Sequence, residues 1–283
     1  MVIKYRLPVG GQALPNGVMI RSGNKISLAL RLRSGNIVTG SWVSKHQQTT
    51  RKKLPILRGI QQLAASFRAS AQTIRQAFRL LKQADQPPVS LNLALHIAAV
   101  VLILVAYVFA SEMWYGYLFS HIPESTPYYL LSGIFGIGDL LLLVLSLYLI
   151  TLLPSVNKML KYHGAEHKAI TCYEKGLDLT IENVRTQSRF HRRCGTSMVA
   201  VIVLAVVTVS MFLPPQLTEA EQSLILCVVM LIAAGLSYEA MRSKRVPLIL
   251  KLGLAAQRIT TKEPSDDMIE CAIAAMIEAI KCR

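Results

Sequence analysis

Four long apolar runs constrain this chain more than any other feature of its sequence. They cover residues 91–110, 128–153, 197–214 and 223–240. A helix needs about 20 mostly apolar residues to cross about 30 Å of hydrocarbon, and each run approaches that length. The sequence therefore predicts a mainly α-helical, polytopic membrane protein with about four transmembrane helices. For the third and fourth runs, which are the shortest, a buried soluble hairpin is the alternative.

The distribution of charge predicts the orientation of these helices. The chain has a formal net charge of +15, and residues 1–90 contain fifteen Lys or Arg but a single acidic residue, Asp85. Eight basic residues lie in residues 154–196, and eight more follow Glu239. Because basic segments tend to stay in the cytoplasm, we expect both termini and residues 154–196 to lie on the cytoplasmic side of the membrane. No apolar run precedes residue 91, so no signal peptide is expected.

The soluble parts divide into a β-rich beginning and a helical end. Extended-type runs at 18–21, 26–33 and 37–42 are separated by Ser-Gly-Asn turns, and Gly10, Gly11 and Gly17 are expected to serve unusual backbone angles. Apolar residues recur every three or four positions over 54–83, over 247–259 and over 266–281, which predicts three helices. The first of them is basic and carries no acid. It is expected either to lie on an anionic leaflet or to pack on the cytosolic domain.

These patterns predict four segments. We expect a cytosolic β-rich unit at 1–50, a basic amphipathic helix and linker at 51–90, a four-span membrane domain at 91–240 and cytosolic helices at 241–283. The membrane domain would include a cytosolic motif segment at 154–196.

The motif segment contains YHGAEHK at residues 162–168. On a helix, His163 and His167 share one face about one turn apart, which suits two ligands of one divalent metal ion. Glu166 between them is a candidate general base, because a nearby carboxylate can take a proton from water that a metal activates. Structural alternatives are imidazoles that cap backbone or bind lipid phosphate, and a Glu166 that only orients an imidazole or pairs with a lysine.

A second cluster, HRRCGTS at 191–197, precedes the third apolar run. It offers His191 as a third metal ligand and Cys194 as a fourth or alternate one. Three protein ligands would leave an open catalytic position, whereas four would indicate a closed structural site. Glu174 and Glu182 are further carboxylates in the same segment. Zinc is the expected ion.

Asp139 lies inside the second apolar run, where an ionised carboxylate is costly and usually faces a bundle interior or water. It is a candidate for a role in transport. The alternative is a neutral or hydrogen-bonded Asp139 that meets a partner such as His96 in the first run.

Several motifs along the chain are shared with a known family. They include GGQA and GVMIR near the start, PILRG before the first run, the two central clusters, LTIENV at 179–184, and SYE and QRITTKEP in the tail. The chain thus resembles the YqhQ-like bacterial membrane proteins, the family labelled domain of unknown function 1385 and described as predicted metal-dependent enzymes. The resemblance covers nearly the whole chain and implies a location in the bacterial cytoplasmic membrane and a metal site. Asn16 stands where the family commonly has Glu, and Arg192 where it commonly has Pro.

Three functions follow from these observations. The first hypothesis is a metal-dependent hydrolase with a cytosol-facing site, acting on a membrane-proximal peptide or a lipid-linked substrate. The second is a non-enzymatic assembly or scaffold protein with a structural metal site, and the third is a transporter. The expected partners are the lipid bilayer and a membrane protein or a second copy of the chain. Nucleic acid is a minor alternative, because positive-inside topology already explains most of the basic residues.

Overall fold

The structure is a computed structural model that describes residues 9–44, 55–85, 91–123, 125–214, 216–242 and 247–281. It is mainly helical, with one small sheet near the N-terminus. The strands are β1 (Val9–Leu14), β2 (Gly17–Ser22), β3 (Lys25–Arg31) and β4 (Ile37–Val43). The helices are α1 (Pro55–Gln83), α2 (Leu91–His121), α3 (Tyr128–Leu152), α4 (Pro154–Lys175), α5 (Ile181–Arg185), α6 (Gly195–Ser210), α7 (Glu219–Arg242), α8 (Pro247–Thr260) and α9 (Asp266–Ile280). The predicted class, mainly α with an N-terminal β unit, is confirmed. The edges of the predicted segments at 1–8, 45–54, 86–90, 243–246 and 282–283 lie outside the described residues.

The four strands form an antiparallel meander in the order β1-β2-β3-β4. Alternate side chains of a strand point to opposite faces, and here both faces are covered. Val18 and Ile20 of β2 pack in one core with α4 and α9, whereas Met19 of the same strand packs in a second core with α1. Ile26 and Leu28 of β3 also belong to that second core. The sheet therefore forms the middle layer between α1 and the α4–α9 pair.

Gly11 and Gly17 serve close packing, and the prediction of unusual backbone angles for Gly10, Gly11 and Gly17 was wrong. Positive φ angles occur at Asn16 and at the turn glycines Gly23 and Gly35, not at Gly10, Gly11 or Gly17. A Cβ on Gly17 would lie 2.3 Å from the carbonyl oxygen of Ala29 on β3. The absence of a side chain thus lets neighbouring segments approach.

The amphipathic helix α1 packs with one face on the sheet and on α7, so packing, which is one of its two predicted uses, is observed for that face. Ala77 and Leu80 contact the sheet, and Gly59 meets the backbone of Gly235 on α7. A different face of α1 leaves Phe67 68% exposed and Phe78 45% exposed. Contact with an anionic leaflet stays a prediction for that face.

Among the described residues, three helices are long and apolar enough to cross a membrane. They contain the segments Ala94–His121, Tyr128–Leu152 and Glu219–Met241, which belong to α2, α3 and α7. The third apolar run of the sequence forms α6, which has 16 residues. At 1.5 Å per residue α6 is only about 24 Å long, which is shorter than about 30 Å of hydrocarbon. The membrane character is thus supported by three candidate spans, and a fourth span stays a prediction.

Two helix pairs make up the apolar part. α2 packs on α3 and α6 packs on α7, and the Ser132 hydroxyl of α3 donates to the Met211 carbonyl at the end of α6 over 2.8 Å. Asp139 on α3 accepts hydrogen bonds from Ser111 at 2.6 Å and from Tyr107 at 3.0 Å. Since His96 precedes Tyr107 by eleven residues on α2, it lies about 17 Å away along the helix axis. The partners of Asp139 are therefore hydroxyl groups of α2 and not the suggested His96.

Candidate metal site

Helix α4 carries the first cluster into the interior of the domain that it forms with the sheet and α9. Its first turn begins with Pro154, and it ends at Gly176, whose φ of 83° is the left-handed value that suits a helix C-terminus. The YHGAEHK stretch is largely buried, with Glu166 only 3% exposed and His167 1% exposed. A Cβ on Gly164 would lie 2.0 Å from the Lys262 carbonyl oxygen, so this glycine allows the chain after α8 to pass against α4.

His163, His167 and Cys194 come together from two separate parts of the chain. One ligand atom from each residue lies within 4.8 Å of the other two. His163 Nε2 is 3.3 Å from Cys194 Sγ, and the centroids of the two imidazole rings are 4.4 Å apart. Zn–N bonds of about 2.0 Å and Zn–S bonds of about 2.3 Å in a tetrahedral site place ligand atoms roughly 3.5 Å from each other. The donor set and its spacing therefore fit a zinc-like ion.

Backbone carbonyls fix the orientation of both imidazoles. His163 Nδ1 is 2.8 Å from the Thr260 carbonyl oxygen, and His167 Nδ1 is 2.6 Å from that of Arg189. A carbonyl oxygen can only accept, so each Nδ1 carries the proton and donates it. Nε2 of each ring is then left with a lone pair, which is the tautomer that a metal-binding histidine needs.

Glu166 lies at the edge of the cluster. Its Oε2 is 3.8 Å from His163 Nε2, and its side chain is covered by β1, because a Cβ on Gly11 would lie 2.6 Å from Glu166 Oε1. Burial raises the pKa of the Glu166 carboxyl to about 8, the neighbouring Cys194 acts in the same direction, and His163 opposes both. The carboxyl can therefore hold or release a proton near neutral pH.

Burial also favours the neutral forms of His167 and Cys194. It lowers the pKa of His167 to about 3, an effect that the nearby His163 reinforces, and it raises the pKa of the Cys194 thiol. The Cys194 sulfur lies 3.0 Å from the Thr196 hydroxyl, which lowers the thiol pKa in part. A neutral imidazole is ready to bind a cation, whereas the thiol would lose its proton on binding.

His191 lies beside the cluster. Its ring centroid is 5.6 Å from that of His167, and its Nε2 is 3.3 Å from Glu174 Oε2. Glu174 also pairs with the Arg193 guanidinium, so it holds two residues of the second motif against α4. Glu182 is exposed on α5. The structure thus brings Cys194 to the imidazole pair and places His191 with Glu174, while a ligand role for His191 stays a prediction.

Sequence reasoning did not assign a role to Gln257, which holds the second cluster in place. This fully buried side chain accepts from the His191 N–H at 2.8 Å and donates to the His191 carbonyl and the Ser197 hydroxyl, each at 2.8 Å. It therefore fixes both ends of the turn that carries Cys194. The available signal was its position in the tail motif QRITTKEP, which also contains Thr260.

Comparisons with known proteins agree with the resemblance seen in the sequence. A family model described as "Protein of unknown function (DUF1385)" matches residues 54–282. The "Uncharacterized protein YqhQ" of Bacillus subtilis (strain 168) is 29% identical over 312 aligned positions, which cover 98% of this chain and 94% of that protein. No solved structure matches the chain. Because the family match extends over most of its length, the chain belongs to the DUF1385 family of proteins of unknown function.

Proposed function

We propose that this protein is a metal-dependent hydrolase of the bacterial cytoplasmic membrane, with its site on the cytosolic side. The observation that carries the proposal is the buried convergence of His163, His167 and Cys194, with both imidazoles held by backbone carbonyls. A buried set of three such ligands leaves a fourth position open, as catalytic zinc sites do. The substrate would be a membrane-proximal peptide or a lipid-linked ester.

In this proposal the bound ion and Glu166 have separate roles in hydrolysis. A divalent ion at this position would supply Lewis-acid activation of water. Glu166 would accept a proton from the attacking water and return it to the leaving group as the scissile bond breaks. Its raised pKa suits this exchange, and a cation nearby would favour the ionised carboxylate before the reaction.

The membrane arrangement supports this placement of the site. The segments around the cluster carry the positive charge that bacterial proteins keep in the cytoplasm, including eight basic residues in 154–196. With both termini in the cytoplasm the number of spans must be even. We therefore infer that α6 completes a fourth crossing together with the residues that flank it.

Elemental mass spectrometry of the purified protein tests the metal site. We expect near one equivalent of metal in the wild type and its loss in His163→Ala, His167→Ala and Cys194→Ser. His121→Ala is the matched control, because His121 ends α2 and its ring stacks on Tyr117. Loss of the metal in His191→Ala as well would identify His191 as a further ligand, whereas its retention would leave the His191 ring as a partner of Glu174 alone. Absence of metal from every preparation, even after zinc supplementation, would refute the proposal.

A structural metal site is the second candidate, and the position of Glu166 favours it. Its Oε2 is 3.8 Å from His163 Nε2, so a small movement would let Glu166 complete four protein ligands. The protein would then be an assembly or scaffold factor. Glu166→Gln separates the two functions. A hydrolase should keep its metal and lose activity on a panel of esters and peptides, whereas a closed site should lose metal affinity.

A further inference from the structure

A groove runs between the N-terminal sheet and α1. One cavity of about 400 Å³ is bounded by β1, β2, α1 and the ends of α6 and α7 that face the sheet. A second cavity of about 340 Å³ continues it along α1. Arg21 and Ala69 line both cavities, so the two adjoin, and together they are called the groove.

The groove is positively charged. Arg21 and Arg193 line the first cavity, and Arg68 and Arg75 join Arg21 in the second. Neither set of lining residues includes Asp or Glu. Arg193 is paired with Glu174, but no ion pair between described residues involves Arg21, Arg68 or Arg75. Three guanidinium groups are therefore available to an anion from outside the chain.

Arg21 is the most buried of these cations. Its Nε donates to the Gly23 carbonyl over 3.0 Å within the β2–β3 hairpin. Burial lowers its pKa, which means that the protein disfavours this charge as it stands. An anion in the groove would compensate that cost, and the planar guanidinium suits a phosphate that accepts two hydrogen bonds.

The other end of the groove is apolar and meets the membrane helices. Leu63 of α1, Met198 in the first turn of α6, and Tyr238 and Met241 near the end of α7 line it. α7 is one of the three candidate spans, so this end lies at its junction with the cytosolic domain. The groove thus joins an apolar region beside the membrane to a cluster of arginines, which is the pattern of an anionic amphiphile.

The groove also borders the candidate metal site. Gly11 lines the first cavity and lies directly against Glu166, while Arg193 and Gly195 line it on either side of Cys194 in the sequence. Gly11 therefore separates a ligand in this cavity from Glu166, and neither Glu166 nor Cys194 lines the cavity itself.

We propose that this groove binds the phosphate headgroup of an anionic lipid, with Arg21, Arg68 and Arg75 as its cationic contacts. Lipid binding itself does not depend on the metal site. Only the statement that a bond of this lipid is hydrolysed rests on the proposed function. The groove narrows the substrate class from peptide or lipid to a phosphate-bearing lipid.

Native mass spectrometry of the detergent-purified protein tests the proposal with defined probes. The protein is titrated with dioctanoyl phosphatidic acid, with dioctanoylglycerol, which has the same chains without phosphate, and with inorganic phosphate. We expect phosphatidic acid to bind at least about tenfold more tightly than dioctanoylglycerol, which lacks the charge-assisted contact, and than inorganic phosphate, which lacks the apolar chains. Equal binding of dioctanoylglycerol, or equal binding of inorganic phosphate, would overturn the proposal of a lipid phosphate site.

Variants connect the binding to the groove. Arg21→Gln and Arg68→Gln should each weaken phosphatidic acid binding about tenfold or more. Arg79→Gln is the matched control, because it removes the same charge from α1 at a position that lines neither cavity. An equal loss in Arg79→Gln would reduce the effect to general charge attraction and overturn the assignment. Metal content is measured in parallel. If His167→Ala loses its metal but still binds phosphatidic acid, the lipid-binding groove would be supported even if the hydrolase proposal failed.

Discussion

The contact between Gly11 and Glu166 gives the sharpest test of the site geometry. In Gly11→Ala the new Cβ would lie 2.6 Å from Glu166 Oε1, 2.7 Å from its Cγ and 2.8 Å from its Cδ. Ordinary contacts are about 3.5 Å or longer, so Glu166 would have to move by nearly 1 Å. The side chain is only 3% exposed and has little room for such a movement. Overpacking of this kind typically costs about 1–3 kcal/mol.

Gly10→Ala is the matched control, because a Cβ at Gly10 meets nothing within 4 Å in the same strand. Both substitutions reduce the freedom of the unfolded chain equally, so the difference between them isolates the contact with Glu166. We expect the unfolding midpoint of the Gly11→Ala protein to lie roughly 2–10 °C below that of Gly10→Ala, measured by intrinsic fluorescence in detergent.

A double-mutant cycle identifies the source of the cost. In a Glu166→Ala background the atoms that meet the new Cβ are absent, and Gly11→Ala should cost no more than Gly10→Ala. If Gly11→Ala is as stable as Gly10→Ala, or if its cost persists without the Glu166 side chain, β1 does not cover Glu166 and the reasoning fails. A 1 Å displacement of a catalytic group can also lower a rate about 100-fold. The hydrolase proposal therefore expects Gly11→Ala to keep its metal and lose most of its activity.

Three further predictions follow from the same region. Because the pKa of Glu166 is raised in the metal-free folded protein, the folded state binds more protons than the unfolded state between about pH 4.5 and 8. The free energy of unfolding should therefore fall as the pH rises through that range. Glu166→Gln should flatten that part of a pH series of unfolding midpoints, and an unchanged slope would contradict the shift. Gln257→Ala should lower the free energy of unfolding by about 2–4 kcal/mol and reduce metal affinity, because the backbone N–H and carbonyl of His191 lose their partner. Competition with a chelator measures the metal affinity, and an unchanged affinity would count against this role of Gln257. Gly164→Ala should prevent folding, since its Cβ would lie 2.0 Å from the Lys262 carbonyl oxygen. A Cβ at Gly195 meets nothing within 4 Å, so the control Gly195→Ala should yield normal amounts of monodisperse protein. Equal yields of the two variants would refute the close contact between Gly164 and Lys262.

Local patterns of sequence were sufficient for most of the helices. The three- and four-residue spacing of apolar positions predicted α1, α8 and α9 to within one or two residues at each end. Strand β1 escaped detection because Gly10, Gly11 and Gln12 break the alternation that marks a strand. Its role is evident only in the folded structure, where the missing side chain of Gly11 leaves room for the Glu166 side chain. The short length of α6 was also hidden, because the sequence does not show where a helix yields to a turn inside an apolar run.

In the candidate site, too, local spacing predicted some contacts, whereas others depend on residues far apart in the sequence. The four-residue spacing of His163 and His167 predicted a shared face, since that relation depends only on helix geometry. The choice between His191 and Cys194 depended on contacts made by distant residues. Gln257 of α8 binds the backbone of the turn that carries His191 and Cys194. In that position the Cys194 sulfur lies 3.3 Å from His163 Nε2, and the His191 ring pairs with Glu174. No pattern within residues 191–197 could decide between the two.

The position of Cys194 connects the chemistry of the site to the membrane. Cys194 immediately precedes α6, and Ser197 in the first turn of that helix is held by Gln257. Any tilt of α6 against its partner α7 would therefore move the Cys194 sulfur relative to the imidazoles, which are fixed on α4 by the carbonyls of Thr260 and Arg189. The apolar end of the groove is built from the same two helices, α6 and α7. The proposed lipid would thus lie against the helix that begins directly after Cys194, and Gln257 holds the first turn of that helix in place.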